Sequence, residues 1–83
     1  MTELESAFTA PPDGVWTDEV GTITGELELH TVCTDKGLLI ARVRYAGALE
    51  WYTVRGGQAQ LIDMRDHHAV HQLLVNVLHY PGS

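Results

Sequence analysis

Apolar and polar positions alternate with a period of two from Val20 to about Ile62, and the period then lengthens to that of a helix. In the first stretch Ile23, Leu27, Leu29, Thr31 and Cys33 alternate with Thr24, Glu26, Glu28, His30, Val32 and Thr34. This predicts a half-buried strand over about 20–34, bent at Gly25. Asp35-Lys36-Gly37 is a hairpin turn in which Gly37 suits the left-handed position of a bulge, and 38–46 is the return strand. With Thr34 facing Leu38, the pairs Cys33/Leu39, Thr31/Ala41, Leu29/Val43 and Leu27/Tyr45 share one face. Glu28/Arg44 and His30/Arg42 share the other. A slip of one residue would exchange the faces, so this register is strongly specified.

A three-residue loop, Ala46-Gly47-Ala48, predicts a third strand over 49–55 with Leu49 opposite Tyr45 and Trp51 opposite Val43. That choice completes a Glu28–Arg44–Glu50 row and sets Tyr52 beside Arg42. A two-residue loop would instead send the charge of Glu50 to the core face, at a cost. Arg55-Gly56-Gly57-Gln58 reads as a further tight turn into a short fourth strand at 58–62. A helix follows over about 66–79, with Val70, Leu73, Leu74, Val77 and Leu78 as its apolar stripe. Asp63 or Asp66 caps its start and Pro81-Gly82 ends it. The expected class is α+β: an antiparallel meander of three to four strands with a C-terminal helix packed on the face that carries Leu27, Leu29, Val43 and Trp51.

Residues 1–19 read differently. Thr2 and Glu5 stand at capping-box spacing, and Leu4 and Phe8 share a face of one or two helical turns. Ala10-Pro11-Pro12-Asp13-Gly14 stops any helix. The expectation is a flexible acidic segment, with Leu4, Phe8 and Trp16 as anchors if it docks, ahead of a single ββββα domain over 20–83.

Charge sharpens this division. Met1 to Asp35 carry eight carboxylates and no Lys or Arg, whereas Lys36 onward carries all five basic residues and three acids, for a net charge of −6. Such a balance, with its few basic residues interleaved with acids, disfavours a nucleic-acid backbone as partner. The chain has 83 residues, enough for one modest core, and a single cysteine that can form no internal disulfide. No apolar run approaches a membrane span and no signal-peptide pattern opens the chain, so a cytoplasmic location without membrane association is expected.

Histidine is the main chemical concentration. Asp63, His67 and His71 follow at i, i+4 and i+8, the spacing at which two imidazoles on one helix side can share a metal ion. A fourth ligand is missing and no Glu follows His67, so the expectation is structural histidines flanking the apolar stripe, with no metal and no cofactor. Covalent catalysis finds little to use. The serines are Ser6 and Ser83, near the ends of the chain. Cys33 and His30 are three apart on a strand and point to opposite faces, and Gly56-Gly57 lies between strands, not ahead of a helix. Glu26 and Glu28 are two apart on an exposed face, where solvated charge accounts for them. The chain reads as no enzyme.

One feature points to interaction. The face opposite the helix carries Val32, Leu38, Ile40 and Val54, with Leu61 close by and Tyr52 beside Arg42, more apolar than a solvated face requires. Either the N-terminal segment covers it or another chain does. These six residues are the expected partner-binding set of a small non-enzymatic interaction module: an accessory, inhibitory or regulatory subunit that binds a protein or a second copy of itself. Two rivals remain at this level, a histidine-dependent binder of a metal or small ligand, and an acidic decoy for a nucleic-acid-binding protein.

Overall fold

A computed structural model describes residues 1–80, so Pro81 and Gly82, expected to end the helix, lie outside the described residues. The strands are β1 (Thr2–Thr9), β2 (Val15–Thr17), β3 (Gly21–Ile23), β4 (Glu26–Cys33), β5 (Leu38–Tyr45) and β6 (Tyr52–Gln60). A 3₁₀ turn (Met64–Asp66) leads into helix α1 (His67–Leu78). All pairings are antiparallel, and the sheet order is β1-β4-β5-β6-β2-β3. The α+β class with a C-terminal helix stands, but among the described residues there are six strands where three to four were expected.

The central hairpin has the expected register, from Leu27↔Tyr45 through Leu29↔Val43 to Cys33↔Leu39. Gly37 closes its turn at φ +84°, and a Cβ there would run into the carbonyl oxygen of Leu61. That oxygen sits close because the Leu61 N–H donates to the Gly37 carbonyl at 2.8 Å. The turn therefore needs glycine twice over, for its dihedral and for its space.

Two additional strands, β1 and β2, come from the N-terminal stretch. β1 pairs with β4 along its whole length, Thr2↔Cys33 to Thr9↔Glu26. Leu4 and Phe8 are four residues apart, a spacing that serves one helix face and one strand face equally well. Pairing with β4 resolves the ambiguity: Thr2, Leu4, Ser6 and Phe8 face inward, and Glu3, Glu5 and Ala7 face out. The expected strand over 20–34 is two strands. Gly25, at φ +92°, breaks it, and β3 leaves for the far edge of the sheet.

This break dictates the curvature. β3 and β4 stand four steps apart in the strand order, roughly 19 Å across a flat sheet at about 4.8 Å per step. Ile23 and Glu26 are joined by a chain that spans only about 10 Å when extended. The sheet has to curl, and the Ala10 N–H, bonded to the Gly25 carbonyl at 2.9 Å, carries the β1–β4 ladder up to the glycine at which the chain turns away. Phe8, Ala10, Val15, Ile23, Leu27, Leu29, Ala41 and Val43 fill the concave side, with Tyr52, Val54, Leu74, Val75 and Leu78 packed against them. α1 closes that side over β1 and β4.

The β5–β6 register departs from expectation by one residue, with Val43↔Tyr52 and Arg42↔Thr53. Trp51 therefore lies on the outer face, and the Glu28–Arg44–Glu50 row does not form. The objection to this register, a buried Glu50, does not arise: Glu50 precedes β6 and is exposed at the open end of the hairpin. Gly56-Gly57 is no turn. β6 runs through it with a bulge between Ile40 and Arg42, at the place where Val54 pairs with Thr17 of β2.

Candidate functional site

α1 covers nearly the predicted residues but presents a different face. His67 and His71 are buried at 3% and 5% exposure, while Leu73 and Val77 of the expected stripe are 60% and 71% exposed. At about 100° per residue, His67, His71, Leu74, Val75 and Leu78 form one contiguous face. The sheet below explains the rotation. Thr31 is wholly buried on the concave side of β4, beside Thr2 and Ser6 of β1, and a buried hydroxyl costs free energy without a partner.

The imidazoles supply those partners in a continuous ladder. Thr2 Oγ1 lies 2.6 Å from His67 Nδ1, and His67 Nε2 lies 2.8 Å from Thr31 Oγ1. Thr31 Oγ1 then lies 2.6 Å from His71 Nδ1, and His71 Nε2 lies 2.8 Å from Ser6 Oγ. Neutral rings satisfy every member: Thr2 donates to His67, His67 to Thr31, Thr31 to His71, and His71 to Ser6. Doubly protonated rings would not, because both would donate to Thr31 and leave its own hydroxyl hydrogen without an acceptor. Burial holds both histidines below the ordinary imidazole value, assisted by charge on His68 and His30 and, for His71, on His67.

This arrangement bears on the metal candidates. All four ring nitrogens of His67 and His71 are engaged by hydroxyls. Asp63 caps the 3₁₀ turn through the Arg65 N–H at 2.9 Å, and its other oxygen pairs with the Arg65 guanidinium at 2.9 Å. Among the described residues no three His, Cys, Asp or Glu side chains are grouped as a metal ion would need.

The convex face of the sheet carries a different cluster. Trp51 lies under the Arg44 guanidinium, 4.3 Å from ring centroid to carbon, and 5.2 Å from the His30 ring. Arg44 Nε donates to Glu28 at 2.5 Å, and His30 Nε2 meets Glu3 at 2.9 Å. Beside this patch Val32 pairs with Ile40, and Leu38 follows along β5, all half-buried. Of the expected partner-binding set, Val32, Leu38 and Ile40 thus share the convex face. Tyr52 and Val54 turn to the core, displaced by the one-residue register change and the β6 bulge, and Leu61 lies past the end of β6 against Gly37. Trp51 takes the place in the patch that had been given to Tyr52. The N-terminal segment does not cover this face: β1 extends the sheet sideways, and α1 lies on the concave side.

No protein-family model, no curated protein and no solved structure matches this chain. Among the described residues no helix is long and apolar enough to cross a membrane.

Proposed function

We propose that the chain is a small protein-interaction module, an accessory, inhibitory or regulatory subunit rather than an enzyme, and that it engages its partner through the convex sheet face. The observation that carries this reading is the Trp51–Arg44 stack standing beside the Val32, Ile40 and Leu38 row. Trp and Arg are the side chains that most often dominate interface energies, because they combine large contact area with hydrogen-bonding capacity. The simplest occupant is a second copy in a symmetric pair. Acids on β1 and β4 (Glu3, Glu5, Glu28) and bases on β5 (Arg42, Arg44) lie side by side on this face, so a two-fold axis can lay the acids of one copy over the bases of the other.

Sedimentation equilibrium of the wild-type chain and of Ile40→Glu tests the proposal. The wild type should associate, and the variant should stay monomeric with an unchanged far-ultraviolet circular dichroism spectrum. Two monomers at high concentration would remove this face as a self-association surface.

A further inference from the structure

We infer that the open edge of β1 is a strand-addition site for an extended segment of another protein, one whose side chains alternate between basic and apolar. This goes beyond the reading of the convex face, since it concerns the edge of the sheet and a different occupant.

The edge is available in backbone terms. At Thr9 the N–H donates to His79 Nδ1 at 3.1 Å and the C=O accepts from the Tyr80 N–H at 2.8 Å, so both groups point away from β4. An antiparallel ladder alternates strictly, so the N–H and C=O groups of Glu3, Glu5 and Ala7 point the same way. Among the described residues these groups have no hydrogen-bond partner. The chain's own residues 79–80 thus engage one end of the edge, through one main-chain bond from Tyr80 and one side-chain acceptor on His79.

The side chains beside the edge set the occupant. On the convex side a depression is lined by Glu5, Ser6, Ala7 and Glu28. Glu28 is already paired with Arg44, whereas Glu5 has no ion-pair partner among the described residues. On the concave side a second, apolar depression lies between Thr2 and Leu4 of β1 and Met64 and His68 at the start of the helix. A strand laid along β1 sends successive side chains to opposite sides. Its residues toward Glu5 are best basic, and those toward Leu4 and Met64 best apolar. Arg65 and His68 at the rim of the inner depression oppose a second basic residue there. A second copy of β1 is a poor occupant, because antiparallel pairing centred on Glu5 sets Glu5 against Glu5. Main-chain bonds would supply the affinity and the two depressions the selectivity.

The test uses the full chain, labelled with nitrogen-15, and a synthetic peptide of about seven residues alternating Lys and Val, long enough to match an ordinary strand. Amide resonances of Glu3, Glu5 and Ala7 should shift and gain protection from exchange, and Ile40→Glu should bind the peptide as the wild type does. Glu5→Pro should weaken binding by about tenfold or more, because it removes an outward donor but none of the β1–β4 bonds. A peptide N-methylated at alternate residues should fail to bind, which keeps the test decisive should Glu5→Pro not fold. An alternating Glu and Val peptide should bind more weakly. Equal binding of the acidic peptide, tolerance of N-methylation, shifts confined to Trp51, Arg44 and Ile40, or no binding at millimolar peptide would each overturn the inference.

Discussion

Thr31→Val isolates the hydroxyl at the centre of the histidine ladder. Valine keeps the shape of threonine and its preference for strands, so packing in β4 should be preserved. The substitution removes the one atom bonded to both His67 Nε2, at 2.8 Å, and His71 Nδ1, at 2.6 Å. Thr31 is 0% exposed, so the ring nitrogens lose a partner where water has little access. Each stranded buried polar group costs about 1–3 kcal/mol, and the pair therefore about 2–6 kcal/mol. A domain of this length holds about 4–12 kcal/mol of stability in all, so the change consumes a large share. Thr31→Ser keeps the hydroxyl and loses one methyl, which costs about 1 kcal/mol. Urea unfolding followed by tryptophan fluorescence at about pH 7.5, where both rings are neutral, should rank wild type above Ser and Ser above Val. With His67→Phe and His71→Phe already in place, Thr31→Val should cost little, because no ring nitrogen is left to strand. A Val variant within about 0.5 kcal/mol of wild type, or one more stable than the Ser variant, would refute the account.

The same ladder predicts acid sensitivity. His67 and His71 titrate below their unfolded value of about 6.5, so the unfolded chain binds more protons, and stability is complete above that pH and falls as the pH drops beneath it. Urea midpoints between about pH 5 and 8 should show that fall, at most about 1.4 kcal/mol per pH unit for each ring, and His67→Phe with His71→Phe should flatten it. Glu19, Asp35 and Asp63, lowered by hydrogen bonds from Thr53, the N-terminus and Arg65, add their loss as the pH falls below about 4.5 for the glutamate and about 4 for the aspartates. Gly37→Ala should lower thermal stability more than Gly56→Ala. Both positions have positive φ, worth about 1–2 kcal/mol of strain for alanine, but only at Gly37 does the new Cβ also meet the Leu61 carbonyl, whereas at Gly56 it meets nothing within 4 Å.

Local pattern carried a good part of this structure. The β4–β5 hairpin was legible because alternation, turn chemistry and cross-strand charge all lie within 19 consecutive residues, Leu27 to Tyr45, and any slip contradicts all three at once. The extent of α1 was legible for the same local reason, as were the outward positions of Val32, Leu38 and Ile40 once the hairpin register was known. Elsewhere local pattern was satisfied by two answers. Leu4 and Phe8 fit a helix or a strand, and pairing with β4 decided. The third strand fitted two registers, and the loop and the β6 bulge decided, turning Tyr52 and Val54 inward and Trp51 outward.

The face of α1 was beyond any local reading. Hydrophobicity alone assigns Leu73 and Val77 to the core and leaves His67 and His71 at its margin. Tertiary structure reversed this because the surface beneath the helix offers three hydroxyls, two of them 65 residues away from the histidines they meet. Thr2, Ser6 and Thr31 look like ordinary strand residues until β1 and β4 lie side by side. Only then does the buried Thr31 hydroxyl demand a partner, and imidazoles at i and i+4, each with one donor and one acceptor nitrogen, can bond a row of hydroxyls in sequence. The alternation of the chain determined which residues face inward on each strand; the curl of the sheet decided what they meet there.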